Sequence, residues 1–179
     1  MYFDELGCTG AEARRMSPAQ VAERYAQYKV MRSGGLMQWM YSDELYNRRV
    51  SAYRKRAMTI LKGKMPGLWS DSVNESYEQA RATTQRVRSA SREERYDGRF
   101  SEADFRTYLL FPKLDRNFRH LSEAYLNAET PQDANRYMDA LIEYKPLMMG
   151  VLNATDEAER ERLYEQLITW YNELNIEEK

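Results

Sequence analysis

Between Leu45 and Ser70 the chain has no acidic residue, yet Arg48, Arg49, Arg54, Lys55, Arg56, Lys62 and Lys64 place seven positive charges there. On a helix, at 100° per residue, Arg48, Lys55 and Lys62 fall on one stripe with Arg49 and Arg56 beside it. Tyr46, Val50, Tyr53, Ala57, Ile60 and Leu61 take the opposite side, so the segment is amphipathic with an almost purely cationic outer face. A solvated helix ordinarily mixes the signs of its charges. A face of one sign suits a polyanion or an acidic patch on another protein. Arg81, Arg88 and Arg95 repeat the seven-residue spacing downstream, with Arg86 and Arg92 nearby. Guanidinium groups grip phosphate and carboxylate in a planar, bidentate way, so the choice of Arg over Lys there fits recognition. Contacts made to nucleic acid by such a surface go mostly to phosphates, and they are salt-dependent and weakly sequence-specific.

Groups able to carry catalysis are sparse. His120 is the only histidine, which removes every mechanism and metal site that needs two, including helical zinc sites and ferritin-like centres. Cys8 is the only cysteine, and a Cys8–His120 nucleophilic pair is the one such combination the chain contains. Ser33-Gly34-Gly35 lacks both the spacing and the Lys of a phosphate loop. Glu102, Asp104, Asp115, Asp139 and Glu143 sit at helical spacings that suit solvated faces. The expectation is a binding protein with no cofactor, no metal and no catalytic residues.

The elements that position these groups are marked by helix punctuation, and strand signals are nearly absent. Ser17-Pro18-Ala19-Gln20 reads as a capping box opening a helix to about Arg32, stopped at Ser33-Gly34-Gly35. The basic helix is expected from about Leu36 to Lys62, ending before Gly63 and Pro66. Ser72-Val73-Asn74-Glu75 reads as a second capping box, and its helix is expected to run to about Tyr96, before the turn at Asp97-Gly98. Ser101 caps a helix that Pro112 should interrupt; Leu114, Phe118, Leu121 and Tyr125 then hold the helical period. Thr130 opens another helix along Tyr137, Leu141 and Met148, which Pro146 should bend or break. A last helix from Thr155-Asp156-Glu157 is expected to bury Leu163, Tyr164, Leu167, Trp170, Tyr171 and Leu174. The fold class is therefore all-α, a compact bundle of six or seven helices, with possible subdomain boundaries at Gly63–Asp71 and Asp97-Gly98. The first helix resembles the opening of a helix-turn-helix, but Leu36-Met37-Gln38-Trp39-Met40-Tyr41 is apolar where a recognition helix is polar and basic.

Charge divides along the chain. Residues 1–99 hold eighteen Lys and Arg against twelve Asp and Glu, whereas residues 100–179 hold nine against sixteen. This separates a basic helical half, 1–99, from an acidic one, 100–179. Asp156, Glu157, Glu159, Glu161 and Glu165 crowd one helix start, where they match the helix dipole or imitate a phosphate array. Fourteen Tyr and ten Met supply both core volume and adaptable contact area. A lone Cys needs no oxidising compartment, Asp4 and Glu5 stand where a signal peptide would be positive, and the longest apolar run, Leu147 to Leu152, is far short of a membrane span. A cytoplasmic protein is expected, without membrane association. The expected function is docking on a protein or nucleoprotein target through Arg48, Arg49, Arg54, Lys55, Arg56 and Lys62, with Arg81, Arg88, Arg92 and Arg95. That docking would modulate or inhibit nucleic-acid-associated machinery, and phage or mobile-element origin fits such a role. Direct DNA or RNA binding by the same residues is the alternative, and a small helical enzyme a more distant one.

Overall fold

The computed structural model describes residues 6–7, 9–13, 15–34 and 42–176. Cys8 and the Leu36–Tyr41 segment lie outside the described residues, and with them the Cys8–His120 pair; the basic helix, expected from about Leu36, is instead capped by Ser42, whose backbone is extended, and begins at Asp43. The elements are α1 (Gly10–Ala13), α2 (Pro18–Gly34), α3 (Asp43–Lys64), a 3-10 turn (Met65–Leu68), α4 (Asp71–Ser89), α5 (Arg92–Tyr96), α6 (Glu102–Leu126), α7 (Pro131–Asn153) and α8 (Glu157–Glu173). The fold is all-α, with no strand among the described residues. No described helix is long and apolar enough to cross a membrane. The chain forms two compact units: Met1–Gly67 with Glu123–Met138, and Leu68–Ser122 with Asp139–Lys179.

In the first unit α2 packs on α3. The Ser17 hydroxyl accepts from the Gln20 amide at 3.2 Å while the Gln20 side chain accepts from the Ser17 amide at 2.9 Å, the reciprocal box read from the sequence. Its core stripe, Val21, Ala22, Tyr25, Ala26 and Val30, is buried. Ala22 and Ala26 on α2, with Ala57 on α3, are fully enclosed small residues that let the two backbones approach closely. Tyr25 meets Tyr53 edge to face at 6.4 Å. Ala57, Leu61 and Met65 are buried, and Tyr46, Val50, Tyr53 and Ile60 are half-buried, so the apolar side of the basic helix faces inward as its spacing requires.

The second unit departs from the sequence reading at its breaks. Ser70, not Ser72, caps α4 by accepting from the Val73 amide, so the helix starts two residues earlier than the expected box implies. The helix stops at Ser89 rather than Tyr96: Ala90 is extended, and Ser91 and Glu94 form a complete capping box that opens α5. A box that satisfies two amides reciprocally competes well against continuing a helix whose apolar seam is thin. Pro112 and Pro146 do the opposite, and α6 and α7 run through both. Each proline removes one helical hydrogen bond and costs about 3 kcal/mol. Around Pro112 that cost is opposed by the burial of Phe111, Leu114 and Phe118 on one stripe and by the Tyr144 hydroxyl, which donates to the Leu114 carbonyl at 2.9 Å. Near Pro146 the Trp69 indole donates to the Leu141 carbonyl at 3.0 Å.

The cap of α8 is Asp156, which accepts from the Glu159 amide. Arg160 is buried there, donating to Glu157 and to the Ala154 carbonyl, while its Nε has no hydrogen-bond partner among the described residues. Of the six apolar residues expected to be buried along the last helix, Leu167 alone is fully enclosed. The rest are half-buried, and Trp170 and Tyr171 lean on the Tyr144 ring at 6.3 and 5.9 Å. His120 is half-buried, with Nδ1 at 2.7 Å from the Tyr171 hydroxyl.

Substituting Pro112→Ala returns an N–H to the Tyr108 carbonyl. Urea unfolding is expected to show a gain on the order of 1 kcal/mol; a loss would mean that ring packing outweighs the recovered bond.

Candidate partner-binding surfaces

The ten cations singled out by sequence fall in two separately described surfaces. In the first unit, Ser42 caps α3 by accepting from the Leu45 amide, and the helix then runs 22 residues without interruption. Because nothing breaks it, Arg48, Lys55 and Lys62 stay on one stripe, and all three are exposed. Ser51, Ala52 and Thr59, also exposed, fill the spaces between them, so no bulky side chain shields the charges. Arg56 flanks the stripe and is exposed. Among the described residues, Arg48, Lys55, Arg56 and Lys62 make no ion pair. Arg54 approaches Glu23 of α2 at 4.0 Å, a loose pair between half-exposed side chains that carries little energy. Arg49 is half-buried at the edge of the seam.

In the second unit the Ser91 box changes where the other four go. Arg81 and Arg88 remain on α4 and are exposed, Arg81 lying 3.7 Å from Glu78. Arg95, expected on the same stripe, is turned back: it donates to the Ala90 carbonyl at 3.1 Å and the Arg88 carbonyl at 2.8 Å, and its guanidinium lies 5.8 Å from the Tyr108 ring centre. It closes the α4 C-terminus, where a cation also meets the helix dipole. Arg92 is exposed in the first turn of α5. Arg86 reaches Asp104 at 3.8 Å.

Arg81 and Arg88 face α6 across a cleft of about 370 Å³ that Arg116 and Arg119 also line. Asp115 forms part of that lining and is itself buried, a correction to the reading that placed it on a solvated face. Its two oxygens are taken by the Tyr77 hydroxyl at 2.5 Å and by Arg119 Nε at 2.7 Å. Burial first, and the Asp115 carboxylate second, push the Tyr77 phenol well above its usual range, so it stays protonated and donating. The sequence held a signal for this: Asp115 interrupts the apolar stripe of Phe111, Leu114 and Phe118, and Arg119 follows it by four residues.

Lys145 is the other charge that the sequence reading passed over. It is buried, donates to Asn74 Oδ1 at 2.6 Å, and places its ammonium 4.4 Å from the Trp69 ring centre, 4.5 Å from Tyr77 and 5.6 Å from Phe118. The ring faces supply the negative potential that water would otherwise supply. Burial lowers its pKa, and the Glu78 carboxylate opposes that shift. Among the described residues no three His, Cys, Asp or Glu side chains converge in a way that would hold a metal ion. The acidic side chains near the α8 start, Asp156, Glu157, Glu159, Glu161 and Glu165, are all exposed. Comparison of the chain with protein-family models, curated proteins and solved structures finds no match.

The Lys145 cage gives a prediction with a definite sign. A lysine whose folded pKa is depressed binds fewer protons folded than unfolded, so its contribution to stability rises with pH up to the unfolded value. Lys145→Met removes that dependence while keeping the volume, and it leaves the Tyr77 titration in both proteins. The stability of wild type relative to Lys145→Met, from urea unfolding, should therefore increase between pH 8 and pH 10. At pH 7 the Met variant is expected within about 1.5 kcal/mol of wild type, and Lys145→Ala about 2–4 kcal/mol below it.

Proposed function

We propose that this protein acts by binding: the cationic stripe of α3 docks on an acidic protein surface or a nucleoprotein complex and modulates nucleic-acid-associated machinery. One observation supports this above the others. Arg48, Lys55 and Lys62, with Arg56 beside them, are exposed on a single helix face and have no ion-pair partner among the described residues. Four cations held in register by one rigid helix act together on a negative surface, and their attraction is long-ranged enough to steer encounter. The same unit also exposes Tyr28, Met31 and Leu45, and Tyr, Met and Arg are the residue types enriched where proteins meet. That combination favours a protein component in the target.

Direct binding of DNA or RNA is the second reading, supported by the small side chains Ser51, Ala52 and Thr59 between the cations, which leave room for a phosphate backbone to approach.

Charge reversal separates the two. Capture of a protein partner from nuclease-treated lysate is expected to be lost in Arg48→Glu/Lys55→Glu, with the far-ultraviolet circular dichroism unchanged because both residues are exposed. Labelled oligonucleotides at about 50 mM salt are expected to bind weakly or not at all. Tight oligonucleotide binding that falls steeply with salt, with a shallower slope in the charge-reversed protein, would replace the first reading by the second. Capture that survives both substitutions would refute the docking role of α3.

A further inference from the structure

The α4–α6 cleft of the second unit is a surface of a different kind from the α3 stripe. A stripe presents charge on a convex helix, whereas here four arginines line one concavity from two helices: Arg81 and Arg88 from α4, Arg116 and Arg119 from α6. Among the described residues Asp115 is the only carboxylate lining it, and both of its oxygens are already engaged by Tyr77 and Arg119. Arg119 is held through Nε, so its two terminal nitrogens remain available as a fork while its orientation is set by a buried anchor. Arg88 and Arg116 are exposed and make no ion pair among the described residues, and the Arg81–Glu78 pair at 3.7 Å is solvent-screened. The charge of the cleft is therefore positive by a margin that the protein does not neutralise. Phe111 and Pro112 make part of its wall, and apolar walls concentrate the field of the cations they adjoin.

Size selects among anions. Arg81 to Arg88 is seven residues, about 10 Å along the helix axis, and neighbouring helices pack about 8–10 Å apart. A volume of about 370 Å³ lies at the small end of the range for bound small molecules, roughly 300–1,000 Å³. Several guanidinium forks around one small volume, one of them anchored by Asp115, match several phosphoryl groups joined together better than one.

We propose that the cleft between α4 and α6, formed by Arg81, Arg88, Arg116 and Arg119 over the Tyr77–Asp115 anchor, is a binding site for a compact polyphosphate such as the di- or triphosphate group of a nucleotide. Asp115 and Tyr77 are positioning residues in this site: they hold Arg119 and do not meet the ligand. The site is independent of the α3 stripe.

Isothermal titration of the whole chain with inorganic tripolyphosphate and with orthophosphate, at about 50 mM salt, tests this. Tripolyphosphate is expected to bind at least tenfold more tightly than orthophosphate. The variant Arg88→Gln/Arg116→Gln alters two exposed side chains and is expected to lose at least tenfold in affinity without a change in thermal unfolding, whereas Arg48→Glu/Lys55→Glu should bind as wild type does. Absence of binding, equal affinity for the two anions, or unchanged affinity in the Gln variant each overturns the proposal. A short single-stranded oligonucleotide gives the last arm: binding that depends on Arg88 and Arg116 and that tripolyphosphate fails to displace assigns the cleft to a nucleic-acid backbone and rejects the compact ligand.

Discussion

The second unit is organised around charges that have to stay inside it. Asp115 stands in the middle of the apolar stripe of α6, and an isolated carboxylate there would cost several kcal/mol. It is tolerated because α4 supplies a phenol and α6 supplies a guanidinium, each at hydrogen-bond distance. Lys145 is enclosed by the same aromatic group from the other side, with Tyr77 and Phe118 touching both the cage and the α6 stripe. Tyr77 is thus shared: its hydroxyl holds the carboxylate and its ring face holds the ammonium. One side chain serves two buried charges of opposite sign, so the relative register of α4, α6 and α7 within this unit is tightly constrained. Apolar packing alone would leave that register looser, since hydrophobic contacts tolerate sliding and hydrogen-bonded charges do not.

The parts of this arrangement that were readable in advance are those decided locally. The all-α class, the capping box at Ser17, the caps at Ser101 and Thr130 and the inward seam of α3 depend on residues within a turn or two of one another, and those readings agree with the structure. The errors come where a local signal competes with another force. The Ser91-Arg92-Glu93-Glu94 box was present in the sequence, but a long helix through it also satisfied the seven-residue arginine spacing; reciprocal capping decided the matter. Pro112 and Pro146 are strong local stop signals, overridden by apolar burial on both sides that no window of a few residues can weigh. Asp115 and Lys145 required knowing that Tyr77, Asn74 and Trp69, roughly forty to seventy-five residues distant, would arrive beside them.

The same distinction governs the cationic residues. A spacing of seven makes a continuous stripe only as long as one helix lasts. On α3 it lasts from Asp43 to Lys64, and the stripe is complete. On α4 it ends at Ser89, and the third arginine of the series, Arg95, becomes a C-terminal cap whose donors meet the carbonyls of Arg88 and Ala90. The two arginines that remain share a cleft with Arg116 and Arg119 of α6, which the periodicity of α4 had no means of indicating. Two cationic helices read from the same seven-residue spacing are in physical terms a convex stripe and a concave cluster.

That difference determines how each surface can persist in the free protein. On α3, Arg48, Lys55 and Lys62 stand two turns apart, about 10 Å along the axis, which is comparable to the screening length of about 8 Å at physiological salt. Their mutual repulsion is largely screened, so the stripe costs the isolated protein little and needs no carboxylate of its own. An extended negative partner that contacts all of them collects each attraction separately. In the cleft the cations share a smaller volume with apolar walls, where screening is weaker and repulsion greater. There a compensating charge is required even without a ligand, and Asp115 supplies it beneath Arg119 while Glu78 stays near Arg81. The buried carboxylate therefore does more than fill a gap in the seam of α6: it offsets part of the positive charge that Arg81, Arg88, Arg116 and Arg119 bring to the cleft.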